Sequence, residues 1–183
     1  MKKTDDANKA PPASFNPKAG IAKSLAEYID VAKIIARGSI AEVKFASMAN
    51  VNFDKPITTT GGNSKDSYET LPVILAIEAG RTETFDFLLT NSRTRLNVES
   101  NYLRGPKGMV YPAAGTPLDA AYNLKEKNSP HGQYFYDQLI ANGAKLAIGE
   151  FKDDIAEDVA KYAKTKACSK TAAKARTSHK APK

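Results

Sequence analysis

A proline-led apolar stretch that ends at a glycine, with an amphipathic stretch directly behind it, constrains this chain's fold more than any other feature. In "TLPVILAIEAGRTETFDFLLTN", residues 70–91, Pro72 sits where the first turn of a helix tolerates it, because its missing N–H has no helical partner there. Val73, Ile74, Leu75, Ala76 and Ile77 leave that helix apolar on most of its surface, which predicts burial between neighbours. Gly80 ends it by accepting a left-handed backbone. "TETFDFLLT" predicts a second helix, with Phe85, Leu88 and Leu89 at i, i+3 and i+4. Two helices this short cannot hide their apolar faces alone, so they require similar units on either side.

Such units are present. "GTPLDAAYNL" and "YFYDQLIANGAK" repeat the pattern with Pro117, then Tyr136, Leu139 and Ile140. "GSIAEVKFASMANVN" repeats the second half, with Gly38 and Val43 spaced like Gly80 and Phe85. These residues resemble ankyrin repeats, whose signature is TPLH-x-A, a Gly-ended inner helix, an outer helix with V-x-x-L-L, and G-A-x-x-N. The resemblance covers roughly residues 30–147. It implies an all-α chain: an ankyrin-type α-solenoid of about three helix–turn–helix repeats with long inter-repeat hairpin fingers and capping helices. The family recurs every 33 residues, whereas Val43 to Phe85 is 42 residues and Phe85 to Tyr136 is 51. The excess falls at "FDKPITTTGGNSKDSYE" and "VESNYLRGPKGMVYPAA", where the family has its fingers, and in the turn "KEKNSPHGQ". Leu75, Phe85, Leu88, Leu118, Leu139 and Ile140 are expected to form one core across the repeats.

Both ends of this region carry cap signals. "KSLAEYIDVAKIIARG" reads as helix, broken at Asp30 as an N-cap and stopped at Gly38. "EFKDDIAEDVAKYAK" places Phe151, Ile155, Val159 and Tyr162 on one helical stripe, with acids early and lysines late as the macrodipole favours. Three segments follow: a polar, proline-containing lead-in over 1–18, the repeat domain with its caps over 19–163, and a basic tail without an apolar pattern over 164–183, read as disordered. From Lys161 to Lys183 there are eight Lys or Arg and no acid, while residues 1–160 hold 19 basic and 20 acidic groups. The charge of +7 therefore belongs to the tail.

Chemistry-bearing residues are sparse. Cys168, the single cysteine, precludes an intramolecular disulfide and fits a reducing compartment. His131 and His179, the two histidines, lack ligand spacing, and they fall in a turn insertion and in the tail, where neither is expected to be held rigidly for catalysis. No enzyme, metal or cofactor is expected. "GGNSK" lacks the phosphate-loop pattern and reads as a turn. The expectation is a monomeric, non-catalytic module that binds a protein partner through its fingers and the concave helix face. Tyr102, Arg104 and Tyr111 supply hot-spot residue types on the second finger, and Lys107 adds charge. Thr58, Thr59, Asn63 and Lys65 supply adaptable polar contacts on the first, and Glu78, Tyr122 and Asn123 the concave face. The alternative is a nucleic-acid- or chromatin-associated protein that uses the basic tail. The tail is also similar to the C-termini of type IV effectors of intracellular bacteria, which implies secretion into a host cell and action on a host protein. With no signal peptide or membrane-spanning run, the expected location is the cytoplasm, the nucleus or a host cell.

Overall fold

The computed structural model describes residues 29–60, 67–91, 94–105 and 111–178. Along them run α1 (Val31–Arg37), α2 (Ile40–Met48), β1 (Ile57–Thr60), β2 (Ser67–Thr70), α3 (Pro72–Glu78), α4 (Thr82–Asn91), β3 (Ser100–Arg104), β4 (Tyr111–Gly115), α5 (Pro117–Glu126), α6 (Gly132–Ala141) and α7 (Lys152–Ser178). Three helix pairs thus alternate with two antiparallel hairpins. The lead-in 1–18, Asn63, Lys65, Lys107 and His179 lie outside the described residues.

Local chemistry sets the helix ends. The Asp30 side chain accepts from the Lys33 backbone N–H and caps α1. Ser39 and Glu42 form a capping box on α2, as do Thr116 and Asp119 on α5. Pro72 and Pro117 occupy the first turns of α3 and α5. Gly80 takes φ 66, the left-handed conformation expected of it.

The all-α expectation is corrected by the two hairpins, which make the chain mixed α/β. The inserted residues close their own backbone hydrogen bonds in pairs, with Thr58 opposite Glu69 and Tyr102 opposite Ala113. Ile57, three consecutive threonines, Tyr68, Tyr102 and Tyr111 are β-branched or aromatic, residue types that favour a pleated backbone. Added chain in a helical protein need not be helical, and here each insertion became a two-stranded sheet.

The first helices of successive pairs pack in order, α1 on α3, α3 on α5, and α5 on α7, while α2 meets α4. The six residues expected in the core are all buried in one cluster with Ile35, Val43, Phe135 and Ile155. Phe85 meets Phe135 edge-on, with ring centroids 4.8 Å apart, and so ties the second pair to the third. Burying such a side chain contributes about 1.5–3 kcal/mol. Ile155 is fully buried, and Phe151 and Val159 pack against the same core. The stripe stops there, since Tyr162 is exposed. Helix α7 nevertheless continues to Ser178, past the boundary expected at Lys164, with residues 160–167 all exposed.

Two polar clusters fix the C-terminal side. The buried Asp119 carboxylate accepts from the backbone N–H of Thr116 at 2.8 Å and from those of Ile148 and Gly149 at 3.0 Å each. Lys125 lies 4.8 Å and 4.6 Å from the Tyr122 and Tyr136 ring centroids and pairs with Asp158 at 3.4 Å. Asp158 also accepts from the Tyr136 hydroxyl at 3.2 Å. Asp158 thus docks α7 onto α5 and α6.

Candidate functional site

Beside the first helices, the hairpins wall two grooves. The larger, of about 650 Å³, runs between α1, the first hairpin and the end of α3. Leu75 and Leu103 give it an apolar floor, Thr58, Thr59 and Thr60 line one side, and Lys33 and Arg37 the other. The smaller, of about 290 Å³, lies between the second hairpin and the start of α7, and Arg104, Tyr111, Asn123 and Lys127 line it.

Glu78 holds the larger groove together. Its carboxylate accepts from the Tyr68 hydroxyl of β2 at 3.0 Å and from the Leu103 backbone N–H of β3. One side chain at the end of α3 therefore fastens both hairpins. Burial pushes its pKa up from 4.5 to about 7, against the opposing pull of the Leu103 and Tyr68 hydrogen bonds. The Tyr68 phenol is in turn raised far above its ordinary value, by burial first and then by Glu78. A second latch joins the hairpins directly: Thr70 Oγ1 donates to the Asn101 carbonyl at 2.5 Å, and Asn101 Nδ2 donates to the Glu69 carbonyl at 3.0 Å. These side-chain bonds link two separate sheets and make the groove wall stiff without a continuous ladder.

The residues expected to bind a partner divide three ways. Thr58, Thr59 and Glu78 meet in the larger groove, and Arg104, Tyr111 and Asn123 in the smaller. Tyr111 is 49 % exposed. Arg104 is partly exposed and engages Glu150 in an ion pair. Asn63, Lys65 and Lys107 lie outside the described residues, and the other two are core residues. Tyr102, expected as the strongest anchor, is 3 % exposed, with its ring over Gly115, where an added Cβ would lie 2.3 Å from the ring. Tyr122 is 8 % exposed and meets Tyr136 edge-on and Phe151 at a tilt, at centroid distances of 5.4 and 5.1 Å. Asn123, though it touches the smaller groove, is also buried and donates to the Leu103 carbonyl at 3.5 Å.

Sequence reasoning missed Lys33, Arg37 and Tyr68 in the larger groove, and Lys127 and Phe151 in the smaller. A signal existed for the first two: their i, i+4 spacing puts both on one face of α1. Tyr68 had none, since its partner Glu78 is ten residues away, across a turn into a different element. Burial and the neighbouring Arg104 lower the Lys127 pKa. His131 precedes α6, with its ring edge-on to Phe135 at 6.2 Å.

Among the described residues no three His, Cys, Asp or Glu side chains come together as a metal site, and no helix is long and apolar enough to cross a membrane. Comparison with protein-family models, with curated proteins and with solved structures gives no match for this chain.

Proposed function

We propose that this chain is a non-catalytic protein-binding module whose partner lies along the hairpins and the first helices of the pairs. The observation that carries the reading is the larger groove, walled by two hairpins that Glu78 and the Thr70–Asn101 bonds hold in place. A preformed wall loses little ordering entropy on docking. Hairpin residues not needed by the core have interaction as their natural use. The resemblance of "TPLDAA" and "LIANGAK" to ankyrin repeats belongs to this proposal, as a description of the helix pairs inside a mixed α/β chain. So does the place of action, whether the cytoplasm or a host cell reached by secretion.

Site-specific photo-crosslinking tests the reading. A crosslinker at Thr58 or Tyr111 should trap one and the same partner, while one at Lys44 or Asp86, which line a depression between α2 and α4, should not. Trapping only from Lys44 and Asp86 would move the interface to the second helices. A second reading, association with nucleic acid, is favoured by the exposed stretch of α7 that carries Lys161, Lys164 and Lys166. It predicts oligonucleotide binding that weakens steeply with salt and disappears on truncation after Tyr162.

A further inference from the structure

We propose that the larger groove takes an acidic polypeptide segment of the partner, with its carboxylates against Lys33 and Arg37. The inference rests on the protein-binding reading above and deepens it by giving the partner a chemistry. Lys33 and Arg37 are exposed, line the same wall and stand one helical turn apart on α1. Among the described residues no carboxylate lies within 4.0 Å of either cation.

The acids nearby are already engaged. Asp30 accepts from the Lys33 backbone N–H at 3.0 Å as the cap of α1. Glu78 is enclosed by Tyr68 and Leu103. Glu42 is held by the backbone N–H and hydroxyl of Ser39, which lower its pKa first, with a smaller pull from Lys33. Among the described lining residues the carboxylates are Asp30, tied to the first turn of α1, and the enclosed Glu78, so two exposed cations face an incoming ligand against one exposed carboxylate. The threonine hydroxyls on the opposite wall both donate and accept, which suits the polar backbone of an extended peptide. Leu75 and Leu103 on the floor suit apolar side chains between its acids.

A polynucleotide fits less well. Two cations one turn apart neutralise about two phosphates, and the phosphates on either side would meet no further cation among the described residues that line the groove.

The test is selection from random short peptides displayed on phage, with the full chain as bait. Enriched peptides should be acidic, and bait carrying Lys33→Glu with Arg37→Glu should turn the enrichment toward basic ones. A labelled copy of the most enriched peptide should bind the milder pair, Lys33→Gln with Arg37→Gln, roughly tenfold more weakly. That pair also serves if the charge reversal disturbs folding, which circular dichroism reports. Enrichment without an acidic bias, or an acidic bias indifferent to both double variants, would overturn this inference and leave the module reading standing. An absence of any enrichment would overturn the module reading itself. A single-stranded oligonucleotide that binds the wild type and is lost with Lys33→Gln and Arg37→Gln would assign the groove to nucleic acid instead.

Discussion

Glu78→Gln asks whether one buried carboxyl sets how the stability of this protein depends on pH. The folded state holds the Glu78 proton up to about pH 7, while an ordinary glutamate releases it near 4.5. Between those values the unfolded chain binds fewer protons than the folded one, so stability falls as pH rises through the window. The contribution is fully present below the lower value and lost above the upper one. At 1.36 kcal/mol per unit, the whole change is about 3 kcal/mol, or roughly 6–12 °C in Tm for a chain of this size. Glutamine cannot ionise, and it presents one oxygen to the two donors that Tyr68 and Leu103 direct at the carboxylate. Relative to the protonated wild type it should therefore cost about 1 kcal/mol, a cost that does not change with pH. Wild type is then the more stable near pH 4.5, and the variant the more stable, by roughly 2 kcal/mol, near pH 8. Urea denaturation followed by circular dichroism across this range gives both curves, and carboxylates common to the two proteins cancel in their difference. A difference that stays flat, or that favours wild type increasingly as pH rises, would refute the reasoning.

Tyr102→Ala should cost about 3–5 kcal/mol, because the ring is core, while Tyr111→Ala should stay within about 0.5 kcal/mol; equal urea midpoints for the two would contradict the assignment. In Gly132→Ala the new Cβ would lie 2.5 Å from the Lys125 backbone nitrogen and 2.6 Å from the Leu124 carbonyl carbon, where α5 and α6 approach. Backbone cannot swing aside as a side chain can, so a loss of about 1–3 kcal/mol is expected, and an unchanged midpoint would show that the helices separate freely. Asp119→Ala strands the N–H groups of Ile148 and Gly149, at roughly 2–4 kcal/mol. Hydrogen exchange at those two amides should accelerate, and continued protection there would show that another group closes the loop. Truncation after Lys164 should move Tm by less than about 2 °C, since residues 160–167 are exposed; a larger drop would show that the end of α7 packs on the body.

How far the sequence could be read depended on whether a signal was local. Asp30 as a cap, Pro72 and Pro117 in first turns and Gly80 at a helix end each act within a few residues of chain, and each stands where local rules put it. Phe85, Leu88 and Leu139 were found by period, which needs only the helix itself. The hairpins were located by surplus length, but length says nothing of how added backbone closes its hydrogen bonds. Tyr102 shows the sharper limit. Tyrosine is enriched both in cores and at interfaces, and its type alone cannot choose between them. What chooses is the strand opposite, where Ala113, Ala114 and Gly115 are too small to fill the space and the Tyr102 ring fills it. That run of small residues was visible in the sequence, yet it gained meaning only once the register was known. Glu78 lies further out of reach, because its two donors sit ten residues before it and 25 after. With Tyr102 and Tyr122 taken by packing, recognition in the proposed reading falls to Thr58, Thr60, Lys33 and Arg37 around the larger groove. Hydroxyls and exposed cations bind less through apolar burial than the expected tyrosines would have done. They bind through charge and hydrogen bonds, and exposed charge is screened over about 10 Å at 0.1 M salt. Partner affinity should therefore fall as salt rises, and the Lys33→Gln, Arg37→Gln protein should lose most of that dependence. A wild-type affinity indifferent to salt would point back to an apolar contact, with exposed Phe45 and Met48 on α2 the first residues to substitute.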